Sequence, residues 1–312
     1  MLVAMNTHDV LIIGAGPAAL SAAIYTTREE IDTVLYEKSI AGGLAATTDW
    51  IDNYPGFSKG IDGVQLASEM RAQAERFGAV LQFKEVHTID RGSDGDITIT
   101  TTTGDVVRAR AVLIATGSEH KKLNIPGEDE YYARGVHYCA TCDGAFYKGK
   151  RVAVVGGGNS AVQEALFLTR FATHVDLLVR SEIKASEVLQ RKLEENDAIT
   201  VHKGVSPLEM LTEGETLTGI TVVRADGTTA TIPVDGVFIF IGLLPNTDFL
   251  KNSAITLDEQ GFVQANERLE TSVKGVFVAG DVRSGATMQI ASAVGEGATA
   301  ALRIREYLEG ES

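Results

Sequence analysis

Short apolar runs, glycine turns and amphipathic stretches alternate along this chain, and one such unit occurs twice. Val10-Leu11-Ile12-Ile13 is an apolar, partly β-branched run that predicts a buried strand. Gly14-Ala15-Gly16-Pro17-Ala18-Ala19 follows at once, then a helical pattern from Leu20 to Arg28. A second apolar strand, Thr33 to Tyr36, stops at Glu37, 23 residues past Gly14. Strand, glycine turn, helix and acid-terminated strand form the order of a dinucleotide-binding βαβ unit. Gly14 permits the tight turn and Gly16 lets the backbone approach a pyrophosphate. Ala19 stands where helix and strand pack closely, and the helix N-terminus receives the phosphates. Glu37 accepts hydrogen bonds from ribose hydroxyls.

Val152 to Ala161, reading VAVVGGGNSA, aligns without gaps on Val10 to Ala19, and the match continues to Arg28 and Arg170. The strand after this second turn, Val175 to Val179, ends in Arg180 rather than an acid, one residue later in register than Glu37. An acid suits a free 2′-hydroxyl, as on the adenosine ribose of FAD. An arginine suits the 2′-phosphate of NADP.

Between the two units the pattern predicts an amphipathic helix over Gly63 to Phe77, and a hairpin of Ile97 to Thr102 and Val106 to Arg108 about a Gly104-Asp105 turn. A separate buried strand, Ala111 to Ala115, then ends in Thr116-Gly117. The second unit repeats this sequel with Gly219 to Val223, an Asp226-Gly227 turn, Thr229 to Ile232, and Val237 to Ile241 ending in Gly242. After Pro245-Asn246-Thr247 come a strand, Val276 to Ala279, closed by Gly280-Asp281, and a helix from about Gln289. This tail supplies the closing strand and helix that the first unit lacks. The expected fold is α/β, with two Rossmann-like dinucleotide-binding domains of three-layer ββα type, the second inserted into the first. Residues 1–117 and 246–312 form the discontinuous first domain, and 118–245 the second.

Composition narrows the partners. The chain has 312 residues, 44% of them hydrophobic, and a formal charge of −14. That surface repels nucleic acid and anionic membranes and favours a protein or small-molecule partner. Met1 to Thr7 lacks a basic segment and a long apolar one, and Val237 to Leu244 is too short to span a bilayer. The expected location is the cytoplasm.

The only two cysteines lie in Cys139-Ala140-Thr141-Cys142-Asp143. A C-x-x-C pair can close a small disulfide ring, and at a helix N-terminus the dipole favours the thiolate. A structural disulfide and a metal site using His137 compete with redox chemistry. The first is unusual without a secretory signal, and a closed zinc site wants four ligands where this cluster offers three at best. The other histidines, His8, His87, His120, His174 and His202, share no spacing and read as surface or structural.

The order of GAGPAA, NYPGF, ATG, CATCDG, GGGNSA, IGxxPNT and GVFVAGDV resembles the low-molecular-weight thioredoxin reductases over essentially the whole chain. The resemblance implies a homodimeric flavoprotein passing electrons from reduced pyridine nucleotide to FAD, then to the Cys139-Cys142 disulfide, then to thioredoxin. It assigns Cys142 as the thiol that meets the flavin, Cys139 as the thiol that attacks thioredoxin, and Asp143 as acid and base. It places Gly14, Gly16, Pro17, Ala18, Glu37, Lys38, Gly43, Leu44, Asn53, Thr116, Gly117, Gly280, Asp281, Gln289, Ile290 and Ala291 at FAD. It places Gly156, Gly158, Asn159, Ser160, Arg180 and Lys184 at NAD(P)H. No metal is implied. The inserted domain is expected to rotate about crossings near Gly117 and Gly242.

Two departures bear on the electron donor. Relatives specific for NADPH carry a His-Arg-Arg stretch with a further arginine, whereas this chain has Val179-Arg180-Ser181-Glu182-Ile183-Lys184. Glu182 is expected to repel a phosphate, so the 2′-phosphate site is weakened and NADH becomes possible. Met288 stands before Gln289 where arginine is common. The alternatives are a flavin-dependent dithiol oxidase, a reductase fed by a non-pyridine donor such as ferredoxin, and a redox-inert flavin-binding or interaction protein.

Overall fold

A computed structural model describes residues 7–48, 50–92 and 95–310; the Met1 to Asn6 part of the N-terminal stretch discussed above lies outside them. In chain order the elements begin with β1 (Thr7–Ile13), α1 (Pro17–Arg28), β2 (Thr33–Glu37), α2 (Gly43–Ala46), α3 (Gly63–Arg76), β3 (Val80–Phe83), β4 (Val86–Arg91), β5 (Ile97–Thr101), β6 (Val106–Ile114) and β7 (Ser118–His120). Next come β8 (Val136–His137), α4 (Ala140–Asp143), a 3₁₀ turn (Gly144–Tyr147), β9 (Arg151–Val155), α5 (Asn159–Leu168), β10 (His174–Val179), α6 (Glu187–Glu194) and β11 (Ile199–Lys203). β12 (Val205–Glu213), β13 (Thr216–Arg224), β14 (Thr229–Ile232), β15 (Gly236–Ile239), β16 (Leu243–Pro245), β17 (Val276–Val278) and α7 (Ile290–Glu309) complete the chain.

Two compact units result, Met1–Glu119 with Leu244–Ser312, and His120–Leu243. In the first, β3-β2-β1-β6-β5-β4 form one sheet and β17 pairs with β6. From Val10 to Ile13 β1 is apolar on both faces because both are covered. Val10 and Ile12 pack with α1, α3 and α7, while Leu11 and Ile13 pack with Ile89, Ile97, Ile99 and Val263. The expected hairpin arm Val106 to Arg108 and the expected buried strand Ala111 to Ala115 are one continuous β6. Ala109 and Arg110 keep the period-two alternation between them, Ala109 buried and Arg110 exposed, so nothing breaks the strand. β6 therefore pairs antiparallel with β5 along its first half and parallel with β17 at its end.

The second unit has a parallel sheet, β11-β10-β9-β15-β8, and a separate antiparallel meander, β12-β13-β14. Val152 and Val154 face α5 through Ala161, Val162 and Leu168. Ala153 and Val155 face the meander through Met210, Ile220 and Val222. The chain passes between units along β7 and β16, which pair with each other. Gly117 (φ 67°) and Gly242 (φ 116°) flank this ribbon in backbone conformations that favour glycine.

Candidate active site

In the first unit β1 ends in a turn that only glycine can make. Gly14 has φ 109°, and a Cβ there would lie 2.4 Å from the Ala115 carbonyl oxygen. The turn is tied to the end of β2, since the Ala15 N–H donates to Glu37 Oε2 at 2.9 Å and the Ser39 N–H to Glu37 Oε1 at 2.9 Å. A carboxylate has about four acceptor positions, so ribose hydroxyls can still be received.

The remaining residues assigned to flavin are drawn to the same place. A Cβ on Gly43 would lie 3.4 Å from the Gly16 Cα, and one on Gly280 would lie 3.0 Å from the Ala18 Cβ and 3.7 Å from the Ala293 Cβ. Gly280 thus sits between the first turns of α1 and α7. Asn53 Nδ2 donates to Gln289 Oε1 at 3.2 Å, fixing the loop after α2 to the N-cap of α7, whose first turn contains Ile290 and Ala291. Thr116 and Asn246 exchange two hydrogen bonds beside Gly117. Lys38 lies 3.8 Å from Glu119 on the surface, and Leu44 of α2 is exposed. Trp50 donates to Asp52, and Tyr54 packs against the α1 side of the core.

These residues fit FAD. Neither α1 nor α7 has a side-chain cap, so their first-turn N–H groups are available to phosphate or to a ring carbonyl. The approach over Gly16 is open. Asp281 is largely buried, and no described residue hydrogen-bonds its carboxyl group. Burial and then the charge of Glu296 push it up to about 6. A raised carboxyl pKa contributes stability below the unfolded value near 4 and loses it as pH rises through about 6. Asp281→Asn is therefore expected to stabilise the FAD-free protein at pH 8 by about 2–3 kcal/mol, two pKa units' worth, and to leave it unchanged near pH 4. Thermal melts at the two pH values check this, and flavin titration should show weaker binding.

The second glycine turn repeats the first. Gly156 (φ 144°) lies against the Phe240 carbonyl oxygen, at 2.4 Å from a Cβ position, and the approach over Gly158 is open. α5 starts at Asn159 without a side-chain cap, and Ser160 follows on its exposed first turn. Asn159 Oδ1 instead accepts the Ser186 N–H at 2.8 Å, and the Lys184 N–H donates to the Gly157 carbonyl at 2.7 Å. Residues after β10 are thereby held beside the turn, with Arg180 exposed at the strand end. Glu182, expected to repel a phosphate, has a cation beside it. Lys203 Nζ lies 3.0 Å from Glu182 Oε2, because β10 and β11 pair in parallel with Val179 opposite Lys203. The sheet register thus pairs this acid with a cation 21 residues further along the chain. Both side chains are well exposed, so the pair contributes at most about 1 kcal/mol and is free to rearrange.

Cys139 and Cys142 form a disulfide with Cα atoms 5.3 Å apart. Cys139 is the N-cap of α4, and its Sγ accepts the Cys142 N–H at 3.2 Å. Asp143 closes this turn, with its N–H donating to the Cys139 carbonyl. Both cysteines and Asp143 are partly exposed. Beneath them His137 is buried, with Nδ1 3.0 Å from Asp143 Oδ2 and Nε2 2.6 Å from the Tyr147 hydroxyl. Sequence spacing did not group His137 with Tyr147. His174 and His202 instead converge on Asp176, which Arg151 grips through both oxygens, so they serve the fold.

The model of the pyridine nucleotide-disulphide oxidoreductase family matches residues 8–297, and the chain belongs to that family. It is 40% identical to the thioredoxin reductase of Bacillus subtilis over 97% of this chain and 95% of the relative, and 39% identical to that of Treponema pallidum over 97% of each. The crystal structure of thioredoxin reductase from Streptococcus pyogenes matches with a TM-score of 0.92 at 35% identity, covering 97% of this chain and 99% of the other. The thioredoxin reductase structure from Giardia duodenalis gives 0.93 at 33%, covering 98% and 100%. Within the family, the chain belongs with the low-molecular-weight thioredoxin reductases.

Proposed function

We infer that this chain is a thioredoxin-disulfide reductase that takes electrons from a reduced pyridine nucleotide, through FAD, to the Cys139-Cys142 disulfide and on to thioredoxin. The carrying observation is this disulfide, capped onto a helical turn with Asp143 behind it, in a chain with two separate dinucleotide turns. Relatives named as thioredoxin reductases favour this over a dithiol oxidase.

A bound FAD would supply the two-electron relay between the nicotinamide and the disulfide. Glu37, the open backbone at Gly16, the α1 and α7 N-termini and Asp281 would hold it. The turn at Gly156 to Ser160, with Arg180 and Lys184, would hold the nucleotide. Once reduced, Cys139 gives its proton to Asp143, and its thiolate is favoured by the N–H groups of α4. It attacks one sulfur of the thioredoxin disulfide; a mixed S–S bond forms, the thioredoxin bond breaks, and the departing thiolate takes the proton from Asp143. Asp143 next takes the Cys142 proton, the Cys142 sulfur attacks Cys139 Sγ, and the second thioredoxin thiolate leaves and is protonated. Thioredoxin gains two electrons and two protons, and the enzyme disulfide re-forms.

The protein works as a cytoplasmic homodimer. Among the described residues no helix is long and apolar enough to cross a membrane. Light scattering at about twice the 33.2 kDa chain mass would support the dimer. The anaerobic test adds NADPH, NADH or neither, with thioredoxin, and follows flavin bleaching and thiol release. Thiol release from thioredoxin supports the reading; bleached flavin that reoxidises only with oxygen overturns it in favour of the oxidase.

NADPH is the favoured donor by a modest factor. NAD-preferring folds put an acid at the strand terminator to grip both ribose hydroxyls, and Arg180 stands there instead. A single arginine on the 2′-phosphate contributes about 1.5–3 kcal/mol, or roughly ten- to a hundredfold. Arg180→Ala is expected to erase the preference, read as the ratio of flavin reduction rates at subsaturating NADPH and NADH. If neither nucleotide reduces flavin although dithionite does, the donor is a ferredoxin or a thiol.

A further inference from the structure

We propose that His137 is a positioning residue for thiol turnover, a buried imidazole anchored by Tyr147 that holds the Asp143 carboxylate at the dithiol. The proposal rests on the reading of Asp143 as the acid and base.

The chain brings these groups together from three elements. His137 is in the two-residue strand β8, which is locked into the sheet by β15 with His137 opposite Phe238. The imidazole stacks on the Phe238 ring at 5.0 Å between centroids and meets the Tyr147 ring edge-on at 5.3 Å. Only 4% of its surface is exposed. Tyr147, from the 3₁₀ turn after α4, occupies a slot that exists because residue 236 is glycine: a Cβ there would lie 2.2 Å from the phenol ring. One side of the imidazole thus touches Tyr147 and the other touches Asp143.

The network assigns the imidazole tautomer. A carboxylate only accepts, so Nδ1, 3.0 Å from Asp143 Oδ2, carries a hydrogen and donates it there. That leaves Nε2 to meet the Tyr147 hydroxyl at 2.6 Å; burial, then the charges of Asp143 and Asp235, raise this phenol well above its ordinary range, so it keeps its proton. Of the charged groups around this cluster, Asp143 faces the imidazole, Asp235 acts on the phenol, and the Lys150 ammonium lies over the phenol ring at 5.5 Å. An N–H held against a carboxylate fixes its direction. The imidazole thereby holds one oxygen of Asp143 and sets how the carboxylate is presented at the dithiol.

The test compares His137→Ala, His137→Asn, Tyr147→Phe and Asp143→Asn in the FAD-loaded enzyme. Thioredoxin reduction is measured as kcat and KM separately, with flavin content and the rate of flavin reduction by NADPH as checks on the rest of the molecule. His137→Ala frees the Asp143 carboxylate from its partner, so kcat for thioredoxin reduction should fall roughly tenfold at neutral pH while KM for thioredoxin is unchanged. Tyr147→Phe removes one hydroxyl without changing the packing, so it should lower kcat in the same way by less, even if His137→Ala folds poorly. His137→Asn, which keeps a donor, should recover part of the rate. A kcat unchanged in Tyr147→Phe and in the folded His137 variants, beside a crippled Asp143→Asn, overturns the role of His137 alone. Full activity in Asp143→Asn overturns the acid-base assignment itself, and the positioning role with it.

Discussion

Thioredoxin reduction is expected to fall by at least about 10³-fold in both Cys142→Ser and Cys139→Ser, since each removes a sulfur that must form a covalent bond. The two variants should differ in what remains. Cys142→Ser leaves the flavin no disulfide to reduce, so flavin reduced by NADPH stays bleached, while the unpaired Cys139 thiol attacks oxidised thioredoxin once and its mixed disulfide is left unresolved. Cys139→Ser keeps Cys142 able to approach the flavin but removes the thiol that attacks thioredoxin. The N-cap geometry supports this division, because Cys139 Sγ accepts the Cys142 N–H and is the sulfur best placed to exist as a thiolate. A thioredoxin lacking its resolving cysteine should therefore be trapped on Cys139 and seen on a non-reducing gel. Trapping on Cys142 instead would reverse the assigned roles. Asp143→Asn should slow turnover by about 10²-fold with both sulfurs intact.

What the sequence made legible follows from what is local. The glycine turns, β1, α1, α3 and α7 show in apolar runs, helical periodicity and glycine positions, because each is set by residues within one element. β12 was missed because Pro207 and two register shifts, at Pro207/Glu209 and Leu211/Thr212, destroy the period-two pattern. β8 has two residues and no period to read. β6 was divided because the alternating hairpin arm and the fully buried end look like different strands, although one ribbon passes from the edge of the core into it. At the site, Cys139, Cys142 and Asp143 announce themselves by spacing. The His137-Tyr147 contact depends on β8 threading beside β15, and the Lys203-Glu182 pair on the register of β10 against β11. Such contacts belong to the sheet order, which no short stretch of sequence contains.

Glu37→Lys is expected to yield a protein that purifies without flavin. In the folded protein Glu37 is only 9% exposed and receives the N–H groups of Ala15 and Ser39, one on each oxygen. Lysine removes both acceptors, and an orphaned buried donor costs about 1–3 kcal/mol each. The ammonium also lies among donors in a nearly closed site with no described carboxylate in its place. The expected destabilisation is about 2–4 kcal/mol, from the orphaned buried Ala15 N–H, a smaller loss at the part-buried Ser39 N–H and the cost of placing an ammonium there. Glycine turn and strand end are joined through Glu37, so its loss also releases the backbone that a pyrophosphate would approach. Glu37→Gln separates the effects: the amide keeps one acceptor oxygen, so stability should fall by about half as much and FAD affinity should fall without vanishing. The second unit has its own cores, and the Cys139-Cys142 disulfide lies in it, so thiol counting on Glu37→Lys should still find the cysteines oxidised. Flavin absorbance per chain and thermal melting make the comparison. A Glu37→Lys protein that retains one FAD per chain would show that the carboxylate neither braces the turn nor meets the ribose.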